Sequence, residues 1–273
     1  MYGMSSMAKQ PLVSVIVPTH NRPVFLRKTL ESILKQTYKN LEVIVVSNGV
    51  NDANRNVIKA LKDPRLIYLD QENTGGPSSP RNHGIREAKG EYVAFCDDDD
   101  LWMPEKIEKQ LQSLEAHPDY GVCFCKMLRF DEEKEWPVVH EEGPATFDTL
   151  LYVNTVPISS VFIRKRLLDQ NGSFSESKAV GTSEDYEFLL RQALRTKFYY
   201  LDEYLIRYWS GANRTTQNDM KRSFLDILRY FQGIRGCFFE LYKTGCVSGI
   251  VFVRPVLFHV WQCLKMFGYQ ALH

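Results

Sequence analysis

The sequence has few of the features that mark specialised protein classes. Its 273 residues include six cysteines, with no CxxC pair and no paired histidines beside them. Neither a zinc site nor a disulfide framework is therefore predicted, and we expect reduced thiols that lie mostly in the core. Lys and Arg number 34 against 33 Asp and Glu, a net charge of +1. Because no overall basic field surrounds the protein, we expect no nucleic-acid partner.

Long apolar runs are also missing. The first dozen residues contain no apolar stretch of the length that a secretory signal needs, so we expect a cytoplasmic protein. The most apolar segment, residues 247–264, is interrupted by Arg254, Pro255 and His259. A spanning helix needs about 20 apolar residues, so none is predicted. With 44% hydrophobic residues and only 16 Gly and 12 Pro, the composition is that of a folded domain.

The charge that is present is unevenly distributed. Residues 221–273 carry seven basic against two acidic residues, a net charge of +5, which leaves −4 over the first 220. This shift predicts a boundary that separates a main domain at 1–215 from a basic, aromatic, helical tail at 216–273. Two interpretations of the tail stay open. Either the tail lies peripherally on the cytoplasmic face of the plasma membrane, or its helices pack on the main domain.

The first half of the chain alternates between strand and helix patterns. Residues 13–17 and 41–46 are short β-branched apolar runs, typical of strands buried on both faces. Further strands are predicted at 65–69, 91–96, 120–130 and 159–164, with a strand pair within 198–208. Helices are predicted at 26–34, 52–61, 81–88, 104–115 and 184–194. An exposed acidic insertion is predicted at 131–143. This order predicts an α/β fold with a mostly parallel central sheet flanked by helices.

Polar residues follow the predicted strands, where ligands of open α/β sheets collect. The most conspicuous group is the run of four aspartates at 97–100, which follows a buried strand. Four neighbouring carboxylates repel one another, and a divalent cation is the simplest counter-charge. Mg²⁺ held by one or two carboxylates and by phosphate oxygens would suit a nucleotide diphosphate. The alternative is a solvated acidic turn whose charges favour a helix start.

Four stretches together resemble the family 2 glycosyltransferases of the GT-A fold. They are VSVIVPTHNR at 13–22, LESILKQTYKNLEVIVV at 30–46, RNHGIREAKGEYVAFCDDDDLWMP at 81–104 and SEDYEFLLR at 183–191. The resemblance spans roughly residues 12–210. It implies a Rossmann-like GT-A fold with a nucleotide-sugar half at about 12–104 and an acceptor half at about 105–215.

The resemblance also implies roles for individual donor-side residues. Pro18, Thr19 and Asn21 would meet the nucleoside, and Asn48 would read the base at a position where the family usually has Asp. Since an amide donates as well as accepts hydrogen bonds, this departure leaves the usual preference for uracil open. In the acidic run, the resemblance places Asp98 against the ribose or nucleotide and Asp99 on the metal, Mn²⁺ or Mg²⁺. Asp97 is a further candidate for contact with the nucleotide-sugar.

Three residues outside these strand ends complete the implied site. Arg81, at a helix start, would face phosphate, with a surface arginine as the alternative. Asp185 occupies the position of the catalytic base, and Glu184 could serve instead. The alternative for this pair is simple helix N-terminal charge.

We expect an inverting glycosyltransferase that moves one sugar from a nucleotide-diphosphate sugar, first of all a UDP-sugar, to a saccharide acceptor that could be lipid-linked. The Gln-x-x-Arg-Trp motif of processive members is not found, which favours a non-processive enzyme of bacterial surface-polysaccharide assembly (capsule, O-antigen or exopolysaccharide). A catalytically degenerate nucleotide- or sugar-binding module is the alternative. A sugar nucleotidyltransferase is disfavoured because its N-terminal Gly-rich loop is not seen.

Overall fold

The computed structural model of the protein describes residues 10–138, 143, 145–211, 224–243, 245, 255 and 257–259. Its strands are β1 (Val13–Thr19), β2 (Leu41–Asn48), β3 (Leu66–Gln71), β4 (Tyr92–Phe95), β5 (Leu101–Trp102), β6 (Tyr120–Phe130), β7 (Glu135–Pro137), β8 (Phe162–Arg164) and β9 (Lys197–Trp209). Its helices are α1 (Pro23–Leu34), α2 (Asp52–Leu61), α3 (Ser78–Glu87), α4 (Lys106–Ala116), α5 (Phe147–Leu150), α6 (Lys165–Asn171), α7 (Glu184–Ala193) and α8 (Phe224–Lys243), with a 3₁₀ turn at Ile158–Ser160.

One mixed sheet organises the fold, with strand order β3-β2-β1-β4-β8-β6-β9-β5 and β7 on β6. The predicted parallel arrangement is confirmed for β3, β2, β1 and β4. In the second half β6 and β9 are also parallel, whereas β8 runs antiparallel to both β4 and β6, and β5 antiparallel to β9, so the sheet is mixed there. The short β8 inserts between two strands in the reverse direction. The α/β class and the GT-A type of the predicted fold are unaffected.

The apolar runs of β1 and β2 are buried on both faces, as predicted. Val15 and Val17 pack with α1 and α4 in one core cluster, whereas Ile16 packs on the opposite side with residues of α3 and α7. Successive residues of a strand point to opposite faces, so a sheet covered by helices on both sides needs a continuous apolar run. The carboxyl ends of β1, β2 and β4 consequently meet at one edge.

Two predicted features of the second half need correction. The strand pair within 198–208 is one 13-residue strand, β9, whose pairing with β6 becomes irregular where Leu201 faces Cys125 and Tyr204 faces Lys126. Asp202 and Glu203 bulge out there, so a polar pair that indicates a turn is accommodated within one strand. The predicted acidic insertion at 131–143 contains β7, which pairs with β6, and residues 139–142 lie outside the described part.

The tail helix α8 packs on α7, as one of the two interpretations of the tail expects, and the membrane contact stays a prediction. Ile234, Cys237, Phe238 and Leu241 form its buried face, and the remaining tail residues are described only at 245, 255 and 257–259. None of the helices within the described residues is long and apolar enough to cross a membrane. The boundary near residue 215 stays a prediction. The expectation of reduced core cysteines is confirmed for the four described ones, Cys96, Cys123, Cys125 and Cys237.

Candidate active site

The acidic turn, residues Asp97–Asp100, follows β4 at the edge where the parallel strands end. Its four carboxyl groups form two pairs. Asp98 and Asp100 are buried, whereas the side chains of Asp97 and Asp99 keep 31% and 15% of their surface exposed. Since β4 lies beside β1, the turn faces the residues that follow β1. The alternation therefore gives one pair a structural environment and the other access to a ligand.

The buried pair anchors the turn to neighbouring elements. The Thr19 hydroxyl, at the end of β1, donates to Asp98 Oδ2 over 2.7 Å, and the Trp209 backbone N–H donates to Asp100 Oδ1 over 2.9 Å. Burial raises the pKa of Asp98 to about 7, and it raises the pKa of Asp100 well above its ordinary value. The Thr29 hydroxyl also lies 2.8–2.9 Å from the carbonyl oxygens of both residues. The predicted nucleotide role of Asp98 stays a prediction.

Arg81 of α3 links the acidic turn to the predicted catalytic pair. Its guanidinium donates to Asp97 Oδ1 over 2.7 Å and to Glu184 Oε1 over 2.8 Å, and it lies 5.1 Å above the Phe174 ring. Only 3% of Arg81 is exposed, so the alternative of a surface arginine is wrong. Burial alone would lower its pKa, but the carboxylates of Asp97 and Glu184 raise the pKa above the ordinary value. A charged guanidinium is therefore held between two halves of the site, and its contact with phosphate stays a prediction.

Asp185, the predicted base, lies at the beginning of α7 and is partly exposed. Its Oδ1 accepts a hydrogen bond from the Tyr186 backbone N–H over 2.7 Å, and its Oδ2 lies 3.5 Å from the Asn154 amide nitrogen. Burial and the neighbouring Glu184 carboxylate raise its pKa to about 7. A helix N-terminus by itself would favour the ionised form and lower the pKa. The environment of Asp185 is thus that of a carboxylate that can exchange a proton near neutral pH.

Glu184 has a different environment from its neighbour. Its side chain is buried and its carboxylate is in an ion pair with Arg81. A carboxylate that stabilises a buried cation is poorly placed to accept a proton from an acceptor hydroxyl. Of the two predicted candidates for the base, the geometry favours Asp185.

The end of β2 is tied to the loop that follows β3. Asn48 accepts hydrogen bonds through Oδ1 from the backbone N–H and hydroxyl of Thr74 at 3.1 and 3.2 Å and from Gln71 at 3.2 Å, and it donates through Nδ2 to the Gly76 carbonyl oxygen at 3.1 Å. His20 Nδ1 lies 2.6 Å from the Asn48 carbonyl oxygen. The amide that is predicted to read a base therefore also fixes the loop at 71–76.

The other two predicted nucleoside residues lie at the end of β1. Pro18 is buried within the strand, whereas Asn21 is exposed in a left-handed conformation with φ 54°. The Asn21 side chain accepts a hydrogen bond from the Asn51 amide. Asn tolerates this conformation better than most residues, so Asn21 allows the chain to turn between β1 and α1.

The residues of the acidic turn fit a divalent cation that is shared with a ligand. Asp97 and Asp99 provide carboxylate oxygens, the ligands that Mg²⁺ and Mn²⁺ prefer. Burial and then the Asp97 charge raise the pKa of Asp99, as expected where like charges lie close. Across the residues described, no group of three or more His, Cys, Asp or Glu side chains could hold a metal ion. Such a cation would consequently need phosphate oxygens and water to complete its coordination.

Sequence reasoning missed residues whose partners are distant in the chain. Arg22 Nη1 lies 2.7 Å from Asp99 Oδ2 and 3.3 Å from Asp98 Oδ1. The Ser159 hydroxyl accepts a hydrogen bond from the Asp97 backbone N–H over 3.0 Å. The sequence does contain a signal for Arg22, because this cation closely follows the end of a predicted strand. No sequence pattern points to Ser159.

Comparison with known proteins agrees with this arrangement. The sequence pattern of the family "Glycosyl transferase family 2" matches residues 14–185. An uncharacterized glycosyltransferase of Rickettsia bellii is 39% identical over 137 residues, which cover 48% of this chain and 20% of the relative. The part of the chain that matches thus spans a fifth of the length of that relative.

Two solved structures share the fold. The crystal structure of S. aureus TarS 1-349 in complex with UDP-GlcNAc superposes with a TM-score of 0.66 at 23% identity, covering 84% of this chain and 66% of the other. The mannosyltransferase PcManGT from Pyrobaculum calidifontis, in complex with GDP-Man and Mn²⁺, gives 0.65 at 18% identity, covering 96% and 74%. Because the family pattern matches more than half of the residues and includes the acidic turn, the chain belongs to glycosyl transferase family 2.

Proposed function

We propose that the protein is a metal-dependent, inverting glycosyltransferase that moves one sugar from a nucleotide-diphosphate sugar to an acceptor hydroxyl. The observation that carries this proposal is the connection of Asp185 to the acidic turn. A partly exposed carboxylate with a pKa of about 7 adjoins Glu184, which Arg81 joins to Asp97. A base and a diphosphate-binding turn held in fixed relation are the two parts that glycosyl transfer needs.

The reaction that suits these residues is a direct displacement. The acceptor oxygen forms a bond to the anomeric carbon while the bond from that carbon to the diphosphate oxygen breaks. The acceptor proton passes to the Asp185 carboxylate as the new bond forms. Of the two predicted candidates for the base, Asp185 is the available one because Glu184 is paired to Arg81, and this arrangement supports one displacement with inversion.

A divalent cation bound by Asp97 and Asp99 would stabilise the negative charge that develops on the leaving diphosphate. Both side chains retain exposed surface at the end of the parallel strands. Mn²⁺ and Mg²⁺ are the ions that this oxygen-rich environment suits. The PcManGT structure, which holds Mn²⁺ with GDP-Man, supports the same choice here.

A UDP-sugar is the donor that we propose to test first. TarS was solved with UDP-GlcNAc and PcManGT with GDP-Man, so the fold accommodates either base in relatives. Asn48 is the residue that we expect to discriminate, because its Nδ2 has a second N–H beside the one that it donates to Gly76. The acceptor is proposed to be a growing cell-surface saccharide.

An exposed face of α8 is the basis for a proposed membrane contact. Phe239 and Tyr242 are 55% and 56% exposed on the side opposite the buried face, and Arg235 and Lys243 are exposed beside them. Aromatic rings flanked by basic groups suit the interface of an anionic bilayer, where a lipid-linked acceptor would be found. Co-sedimentation with phosphatidylcholine vesicles that contain phosphatidylglycerol, compared with vesicles that lack it, tests this contact. Equal binding of wild type and a Phe239→Ser/Lys243→Gln variant would refute it.

The test of the proposed activity begins with calorimetric titration of UDP, GDP, dTDP and CDP, each with and without Mn²⁺ or Mg²⁺. The nucleotide that binds then selects the sugar donors for an assay of donor hydrolysis and of transfer to saccharide acceptors. Asp185→Asn should bind the nucleotide like wild type and lose transfer by at least about a hundredfold, the size of effect expected for a general base. Asp169→Asn, an exposed aspartate in an ion pair with Lys165, is the matched control and should keep full activity. Absence of nucleotide binding would refute the proposed activity, and nucleotide binding without any transfer would favour the binding-module alternative. An active Asp185→Asn variant would remove Asp185 from the mechanism.

A further inference from the structure

Two arginines contact the acidic turn from opposite sides, and their surroundings differ. Arg81 is buried, with Asp97 and Glu184 on its two terminal nitrogens and the Phe174 ring beneath its guanidinium. The side chain of Arg22 is 25% exposed and reaches the turn from the chain segment between β1 and α1. Arg81 is thus buried in the core, whereas Arg22 contacts the turn from a position that solvent can reach.

Arg22 holds the oxygen that a cation would need. Its Nη1 atom lies 2.7 Å from Asp99 Oδ2, and the same atom lies 3.3 Å from Asp98 Oδ1. The other oxygen of Asp98 accepts the Thr19 hydroxyl at 2.7 Å, so Asp98 has a protein partner on both oxygens. A guanidinium and a divalent cation at Asp99 Oδ2 repel each other at this distance, so each weakens the binding of the other.

We propose that Arg22 is an internal counter-ion of Asp99 that gives way to the divalent cation and then pairs with the diphosphate of the donor. The proposal rests on the metal dependence of the proposed function and adds a positioning residue to it. Before the donor binds, Arg22 balances the charge of Asp99. When cation and diphosphate arrive together, the guanidinium exchanges a carboxylate for phosphate oxygens, which it can bind in bidentate fashion.

This exchange links the binding of metal and nucleotide. Without a nucleotide, the cation must break the ion pair between Arg22 and Asp99, so this lost contact lowers metal affinity. With a nucleotide, the displaced guanidinium finds phosphate, so metal affinity rises. By thermodynamic reciprocity, the metal raises nucleotide affinity by the same factor. Removing the guanidinium should therefore strengthen binding of the metal alone and weaken the linkage.

The experiment measures Mn²⁺ binding by the electron paramagnetic resonance signal of free Mn²⁺, without and with UDP or whichever nucleoside diphosphate the titrations select. Arg22→Gln should bind Mn²⁺ alone about tenfold more tightly than wild type, the effect expected when one charge-assisted hydrogen bond no longer competes. Its affinity for the nucleotide in saturating Mn²⁺ should fall by a similar factor. Arg27→Gln is the matched control, because Arg27 is an exposed arginine on α1 that pairs with Glu31.

Arg22→Lys keeps a charge at this position and should bind Mn²⁺ alone nearly as weakly as wild type, which keeps the proposal testable if Arg22→Gln fails to fold. Unchanged or weaker Mn²⁺ binding by a folded Arg22→Gln variant would overturn the proposal. If wild type binds nucleotide in a Mn²⁺-dependent way while that variant shows unchanged linkage, only the role of Arg22 is wrong. If no form of the protein binds Mn²⁺ with or without nucleotide, both this role and the proposed metal dependence are refuted.

Discussion

Replacing Gly236 by alanine tests how closely the tail helix is built into the active site. Gly236 lies where α8 crosses the segment before α7, and a Cβ atom there would lie 1.9 Å from the Ala179 carbonyl oxygen and 2.4 Å from the carbonyl carbon. Both atoms belong to the backbone, so the helix and the segment must separate by roughly 1 Å. Overpacking costs about 1–3 kcal/mol. Because no flexible side chain can yield here, we expect about 3 kcal/mol of lost unfolding free energy.

The same separation should disturb catalysis. Gly233 of α8 lies against Ser183, whose hydroxyl would be 2.5 Å from an added Cβ, and Ser183 directly precedes the Glu184 and Asp185 pair. A displacement of about 1 Å in a catalytic group can lower the rate by roughly a hundredfold. Gly236→Ala should therefore lower kcat more than it changes nucleotide affinity.

The assay combines urea unfolding followed by circular dichroism with donor turnover. A loss of about 3 kcal/mol corresponds to a drop in Tm of roughly 6–12 °C for a domain of this size. Gln232→Ala, an exposed position on the same helix, is the control and should leave both readouts unchanged. If Gly236→Ala is as stable and active as Gln232→Ala, then α8 does not contact the segment before α7 in solution, and the reasoning fails.

Three further predictions concern titratable or charged groups. Arg81→Met should lower the free energy of unfolding by about 3–5 kcal/mol in urea, because it leaves the buried Glu184 carboxylate without its cation; stability equal to wild type would contradict the ion pair. Transfer activity should rise with pH through about 7, since Asp185 must lose its proton to act as a base, and a flat profile between about pH 5.5 and 8 would argue against this assignment. Lys106 is fully buried against Trp102, and burial lowers its pKa from 10.5. Between that lowered pKa and 10.5 the unfolded chain binds more protons, so wild type should gain stability relative to Lys106→Met as pH rises, and parallel pH curves for the two proteins would refute this.

The elements that the sequence predicted well are those whose burial leaves a local pattern. β1 and β2 are covered on both faces, which requires uninterrupted apolar residues, and α2 begins and ends where its periodic pattern does. β9 was harder to predict as one strand, because the polar pair Asp202 and Glu203 is typical of a turn. In the structure the pairing with β6 accommodates this pair as a bulge. The direction of β8 depends on its neighbours and leaves no local trace.

In the candidate site, residue types were predictable but partners were not. The acidic turn and the Glu184–Asp185 pair are visible as motifs, and the structure brings them within reach of one arginine. Which carboxylate is buried and which is exposed depends on contacts between residues far apart. Arg22 and Asp99 are 77 positions apart, and no single-sequence pattern reports such a pairing.

The guanidinium of Arg81 also limits how this chain can be recombined with its relatives. Arg81 and Glu184 are 103 positions apart, so the predicted nucleotide-sugar half and the predicted acceptor half share one buried charge balance. A chimera that takes each half from a different parent would enclose an arginine without its acid, or an acid without its arginine, and either is strongly destabilising. Donor and acceptor preferences of such a hybrid can be exchanged only if positions 81, 97 and 184 are inherited as one unit.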